Sequence, residues 1–92
     1  MIICAAIRIS LQDQQIVICG ARHGDCYETI YQLKPLLNLS KIDFKCEEGF
    51  IDDFNTFYNR EKAYEEAIKF HQLSSTTIES KLEYKLYSED LY

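Results

Sequence analysis

Tryptophan is absent from this 92-residue sequence, proline and methionine occur once each, and glycine only three times. No internal repeat, low-complexity tract or linker is visible, which points to a single domain over residues 1–92 built around one core. Basic residues are also few, 10 against 15 acidic ones, and no Lys/Arg run gathers them. The formal charge of −5 repels a phosphate backbone, which excludes duplex DNA or RNA as the main partner. A small anion held by a few side chains is still compatible with that sign. No apolar run is long enough to span a bilayer: the opening stretch MIICAAIRI is interrupted by Arg8 and lacks the basic flank of a signal peptide. A cytoplasmic protein without membrane contact is expected, with Cys4, Cys19, Cys26 and Cys46 as free thiols and Cys4, Cys19 and Cys46 explained by packing. There is no Walker or dinucleotide fingerprint, and Asp52-Asp53-x-Asn55 lacks the spacing and glycine of a calcium loop. The acidic pairs Glu47-Glu48, Glu65-Glu66 and Glu89-Asp90 read as solvated faces, and neither metal nor cofactor is expected.

What is present is enough apolar residue, 47% with 13% aromatic, to offset the entropy of ordering the chain. The pattern predicts an α+β fold: a small antiparallel sheet of three to five strands, opened by an N-terminal hairpin, with two main helices packed on it. Residues 2–9 read as a central strand and 16–19 as its hairpin partner across the polar stretch 12–15. At Cys26 the period changes, because Cys26, Ile30, Leu33 and Leu37 share a helical stripe. Asp25 is expected to cap that helix, with Glu28 completing a capping box and Pro35 disturbing or ending the last turn. Short strands are expected at 42–46 and 49–52, separated by a turn at 47–49. Asn59 should cap a second helix running to about Gln72, with Ala63, Tyr64, Ala67, Ile68 and His71 on one face. A polar loop at 74–77 and a strand over 78–87, from the alternation of Leu82, Tyr84 and Leu86, complete the reading. Most of Phe50, Phe54, Phe57, Tyr58 and Tyr64 should be core.

The segment 20–26 carries the most chemistry. Strand, glycine loop and helix N-terminus aim backbone N–H groups and the helix dipole at one place, where Arg22 supplies a guanidinium, His23 a titratable imidazole and Gly24 room for close approach. An equally open reading makes Gly20 and Gly24 turn residues and leaves Arg22 and His23 solvated or paired with acids. Cys19, His23 and Cys26 form C-x3-H-x2-C, a set that with Cys46 could hold zinc, although a strand cysteine packed in the core is the simpler account. Cys26 at a helix N-terminus beside His23 could be a nucleophile, yet its place on the apolar stripe favours a buried, inert thiol.

Taken together, Cys4-Ala5-Ala6-Ile7-Arg8, Ala21-Arg22-His23-x-Asp25, Gly49-Phe50-Ile51-Asp52, Asn59-Arg60-Glu61-x-Ala63 and Leu86-Tyr87-Ser88-Glu89-Asp90-Leu91-Tyr92 resemble a family of small tailed-phage accessory proteins. The resemblance departs from the family pattern at Gly24, where a bulkier residue is common, and near His71, where a glycine often precedes the glutamine matching Gln72. It implies a phage origin, hence a host-cell cytoplasm, and a pocket where Arg22, His23 and Asp25 meet Arg60, Glu61 and residues 88–90. On the structural alternative, Asn59 and Glu61 start a helix, Arg60 pairs with the acidic tail and Asp25 only caps.

Three functions follow as expectations. The first is a non-enzymatic binder that sequesters a small anionic ligand, a nucleotide immune signal of the host, as a homo-oligomer, through Arg22, His23, Gly24, Asp25 and Arg60. The second is a hydrolase of a phosphate or glycosidic linkage with His23 as acid or base, partnered by Asp25 or Glu61. The third is an acidic protein-binding inhibitor of a host enzyme.

Overall fold

The β-branched, largely uncharged run at the start of the chain forms a strand, β1 (Ile2–Leu11), that turns back as β2 (Gln14–Gly20). The computed structural model describes residues 1–11, 13–37 and 44–91. Helix α1 (His23–Leu37) follows, then β3 (Phe44–Asp52), β4 (Phe57–Asn59), α2 (Arg60–Lys69), α3 (Ser75–Ser80) and a 3-10 turn (Ser88–Asp90). The sheet is antiparallel with strand order β2-β1-β3-β4, so the expected α+β class, opening hairpin and central first strand are all present.

Ala5, Ile7 and Ile9 of β1 point to the helical side. There they join Cys26 and Ile30 of α1, Phe50 of β3, Ala63, Tyr64 and Ala67 of α2, and Leu73 and Leu86, in one buried cluster. Removing Phe50, Ile7 or Ile9 from water contributes about 1.5–3 kcal/mol each, which fixes the sheet register to this face. The opposite face carries Cys4, Ala6 and Arg8 beside Val17, Cys19, Glu47, Gly49 and Ile51. Arg8 pairs there with Glu47 and lies over the Phe57 ring at 4.5 Å.

Several boundaries differ from the sequence pattern. Residues 44–52 form one continuous strand rather than two with a turn, because β1 pairs along its whole length; residues 42 and 43 lie outside the described residues. Pro35 sits inside α1, which continues to Leu37. The expected strand at 78–87 is replaced by α3, capped by Ser74 accepting from the Thr77 N–H, and by irregular chain. Of its alternating residues only Leu86 is buried, whereas Leu82 and Tyr84 are exposed. Phe54 is likewise exposed and is not core.

The turn between β3 and β4 is organised by Asp52, whose carboxylate accepts from the N–H groups of Phe54 and Thr56 and from the Tyr58 hydroxyl. Burial alone would raise its pKa, but these donors outweigh it and hold the carboxyl below its usual range. Helix α2 begins at Asn59, which accepts from the Lys62 N–H, as expected. It ends at Lys69, before Gln72, in a Schellman arrangement with Gln72 N–H on the Ala67 carbonyl and His71 N–H on that of Ile68. His71 therefore adopts φ 55, a left-handed conformation that favours glycine. Gln72 is then positioned to bond both the N–H and the carbonyl of Ile2. His71→Gly is expected to stabilise the protein by about 0.5–1 kcal/mol, read as a higher denaturation midpoint; an unchanged or lower midpoint would contradict the strain assigned to this position.

Candidate functional site

His23 opens α1, which approaches β2 closely at Gly20, where a Cβ would meet Asp25 Cβ at 3.0 Å. The imidazole is buried and meets Phe50 edge-on at 5.1 Å. Its Nε2 lies 2.8 Å from the Gly49 carbonyl. A carbonyl only accepts, so the proton is on Nε2 and the Nδ1 lone pair faces the Ser88 hydroxyl at 3.0 Å and the Arg60 guanidinium at 3.5 Å. Both ring nitrogens are thus engaged in the neutral tautomer.

Burial pushes the His23 pKa below 6.5; the Gly49 carbonyl opposes this, while the Arg60 charge adds to it. With the folded pKa depressed, the unfolded chain binds the extra proton first. This contribution to stability is present above about pH 6.5 and is lost as pH falls through the unfolded pKa toward the lowered folded one. Stability should therefore decline on acidification before the carboxylates titrate, and His23→Asn should flatten that slope in denaturation curves collected across the window. A wild-type protein equally stable from roughly pH 7 to 5 would contradict it.

Arg60 stands at the first position of α2, where its charge opposes the helix dipole and needs compensation. Glu48 of β3 supplies it at 2.5 Å, and the guanidinium also donates to the Leu86 carbonyl at 2.8 Å and stacks on the Tyr87 ring at 4.5 Å. The Arg60 carbonyl in turn accepts from the Leu86 N–H. The other carboxylate oxygen of Glu48 accepts from the Tyr27 hydroxyl at 2.6 Å. The Tyr27 and Arg60 hydrogen bonds hold the Glu48 carboxyl below its ordinary value against the effect of burial, and the Glu48 acceptor drives Tyr27 up to about 12. Among the described residues no buried side-chain nitrogen or oxygen lacks a partner.

The expected pocket is therefore assembled in part and from a different set. His23, Arg60 and Ser88 come together, joined by Glu48 and Tyr27. Glu48 was legible in principle: period two along β3 places it on the same face as Phe50. Arg22, Gly24 and Asp25 are exposed. Asp25 occupies the first turn of α1, not the cap, and accepts from the Arg22 N–H at 3.1 Å, so a carboxylate already fills the dipole's positive end and Glu28 is not its capping partner. Among the described residues nothing lies within 4 Å of a Cβ placed on Gly24, and its φ is not positive, so a larger residue fits there. Arg60 reaches the tail through a carbonyl and a ring, not through its acids; Asp90 pairs instead with Lys81 and accepts from the Tyr87 N–H. Glu61 is exposed and lines an open cleft of about 200 Å³ with Glu48, Asn59, Arg60 and Lys85.

Cys26 is buried and directed at the Ala5 carbonyl, and burial, reinforced by Cys19, Cys4 and Asp25, pushes it up to about 11, which keeps the thiol protonated at neutral pH. Cys19 and Cys46 are exposed rather than packed in the core, Cys19 because it lies on the sheet face away from the helices; all four cysteines are free. Among the described residues no three His, Cys, Asp or Glu side chains gather to hold a metal ion, and no helix is long and apolar enough to cross a membrane.

Fold and cluster define a small α+β protein in which a neutral histidine and a paired arginine lock helices, sheet and tail together. The family model described as Phage T4 y16D protein matches residues 1–92, and the chain belongs to that phage protein family. No curated protein and no solved structure matched the chain.

Proposed function

We propose that this phage protein acts without catalysis, binding a host protein through an acidic face studded with exposed apolar side chains. The observation that carries the reading is the segment after α3. Leu82 is 100% and Tyr84 80% exposed, and Tyr84 lies beside Glu61, Glu65 and Lys85 in a groove of about 340 Å³ along α2. Aromatic and aliphatic side chains held in water are the usual anchors of a protein interface, and the surrounding glutamates, with a net charge of −5, suit a basic partner surface. The buried cluster offers less for chemistry: both His23 nitrogens are occupied and the Arg60 charge is matched by Glu48.

A small anionic ligand, such as a nucleotide, is the second reading. It is favoured by Asn59, Arg60 and Lys85 lining the cleft next to the Tyr84 ring and opposed by Glu48 and Glu61 in the same wall. Affinity capture from host extract separates the two. The wild-type protein should retain a partner released by raised salt, and the double variant Leu82→Ser, Tyr84→Ser should lose it while staying folded. Equal capture by both proteins, with a nucleotide retained in native mass spectrometry, would replace the first reading by the second.

A further inference from the structure

We propose that the protein forms a two-fold homodimer by pairing β2 with β2 of a second copy, so that the sheet continues across that edge. Strand β2 is at the sheet edge opposite β4, and its sequence QQIVICG contains neither a charge nor a proline. Charges and prolines are the devices that usually keep an exposed edge from pairing, and here both are missing. Leu11 faces Gln14 across the hairpin connection. Such a closing pair exchanges both backbone bonds, so alternate residues Gln15, Val17 and Cys19 turn their N–H and carbonyl groups away from β1.

An antiparallel partner centred on Val17 meets all of these groups. It places Val17 opposite Val17, Gln15 opposite Cys19, and Ile16 opposite Ile18 of the second copy. The run Ile16-Val17-Ile18 is palindromic, so the two-fold axis sets β-branched side chains against each other on both sheet faces, the arrangement that stabilises strand pairs. Val17 is 40% exposed and Ile16 and Ile18 are half-buried, which leaves area to cover. Charge favours the same direction. Exposed Asp13 and Arg22 flank the strand at opposite ends, and antiparallel pairing brings unlike ends together where parallel pairing would bring like ones.

Sedimentation of the wild-type 92-residue chain at about 100 μM should give twice the monomer mass of 10.8 kDa. Val17→Pro removes only an outward N–H and should weaken dimerisation at least about tenfold with the circular dichroism spectrum unchanged. In a second variant, Gln15→Cys places a thiol opposite Cys19 of the second copy. Mild oxidation should then give a cross-linked dimer on a non-reducing gel that is lost on adding Cys19→Ser. A monomeric wild type, a folded Val17→Pro protein that dimerises as before, or a cross-link that survives Cys19→Ser would each overturn the proposed interface.

Discussion

Gly49→Ala is expected to lower stability by at least about 3 kcal/mol, a large part of the roughly 5–15 kcal/mol available to a domain of this size. A Cβ built at Gly49 falls 2.2 Å from the Tyr58 carbonyl oxygen and 2.5 Å from Phe57 Cζ. Neither neighbour yields readily. Tyr58 is backbone-paired with Phe50 in the β3–β4 ladder, and the Phe57 ring is stacked under Arg8. Gly49 itself is anchored from the other side, since β1 pairs with it through Ala6 and its carbonyl holds His23 Nε2. Relief requires β4 to leave the sheet, and with it the start of α2. Thermal denaturation should show a midpoint lower by roughly 12 °C or more. A loss under about 1 kcal/mol would mean that β4 does not pack against β3 as described.

Arg60→Ala should have the next largest effect, about 2–3 kcal/mol, after allowing for the solvent that reaches Glu48, whose side chain is 36% exposed. The substitution strands the Glu48 carboxylate and the Leu86 carbonyl and removes the surface on which Tyr87 rests. Arg60→Lys should recover little, because an ammonium group cannot serve a carboxylate, a carbonyl and an aromatic face at once. The loss should be local as well as global. Limited proteolysis between 81 and 91 should accelerate, since the tail is tied to α2 through Arg60 and Leu86. Removing Glu48 together with Arg60 should cost less than the sum of the single changes, by roughly 1 kcal/mol in a double-mutant cycle. Strict additivity would show that the ion pair contributes nothing.

The hairpin, the second helix and its Asn59 cap were legible because each rests on local chemistry: alternation, period 3.6 and a side-chain acceptor at a helix start. The tail was not. Leu82, Tyr84 and Leu86 alternate like a strand, but among the described residues the sheet ends at β4 and gives them no ladder to join, so Leu86 enters the core while Leu82 and Tyr84 face solvent. Strand β4 is three residues long, too short for any periodicity to register. At the candidate site, the meeting of His23, Arg60 and Ser88 followed only from the order of the motifs, since residues up to 65 positions apart leave no local signal. Glu48 was hidden by its neighbour Glu47, because an acidic pair reads as solvated surface although the strand turns only one of the two outward. Arg60 carried a signal of its own, a cation at a helix N-terminus, which the dipole disfavours unless a carboxylate answers it.

On the proposed function, an interior polar lock maintains the fold and the exposed Leu82–Tyr84 face would be the one that meets the host protein. The most direct test is the affinity of a folded His23→Asn variant for the host protein captured by wild type, measured above pH 7 and normalised to the folded fraction. That division of roles predicts an affinity unchanged from wild type despite lower stability. A folded His23→Asn protein that no longer binds would place function in the buried cluster and contradict it.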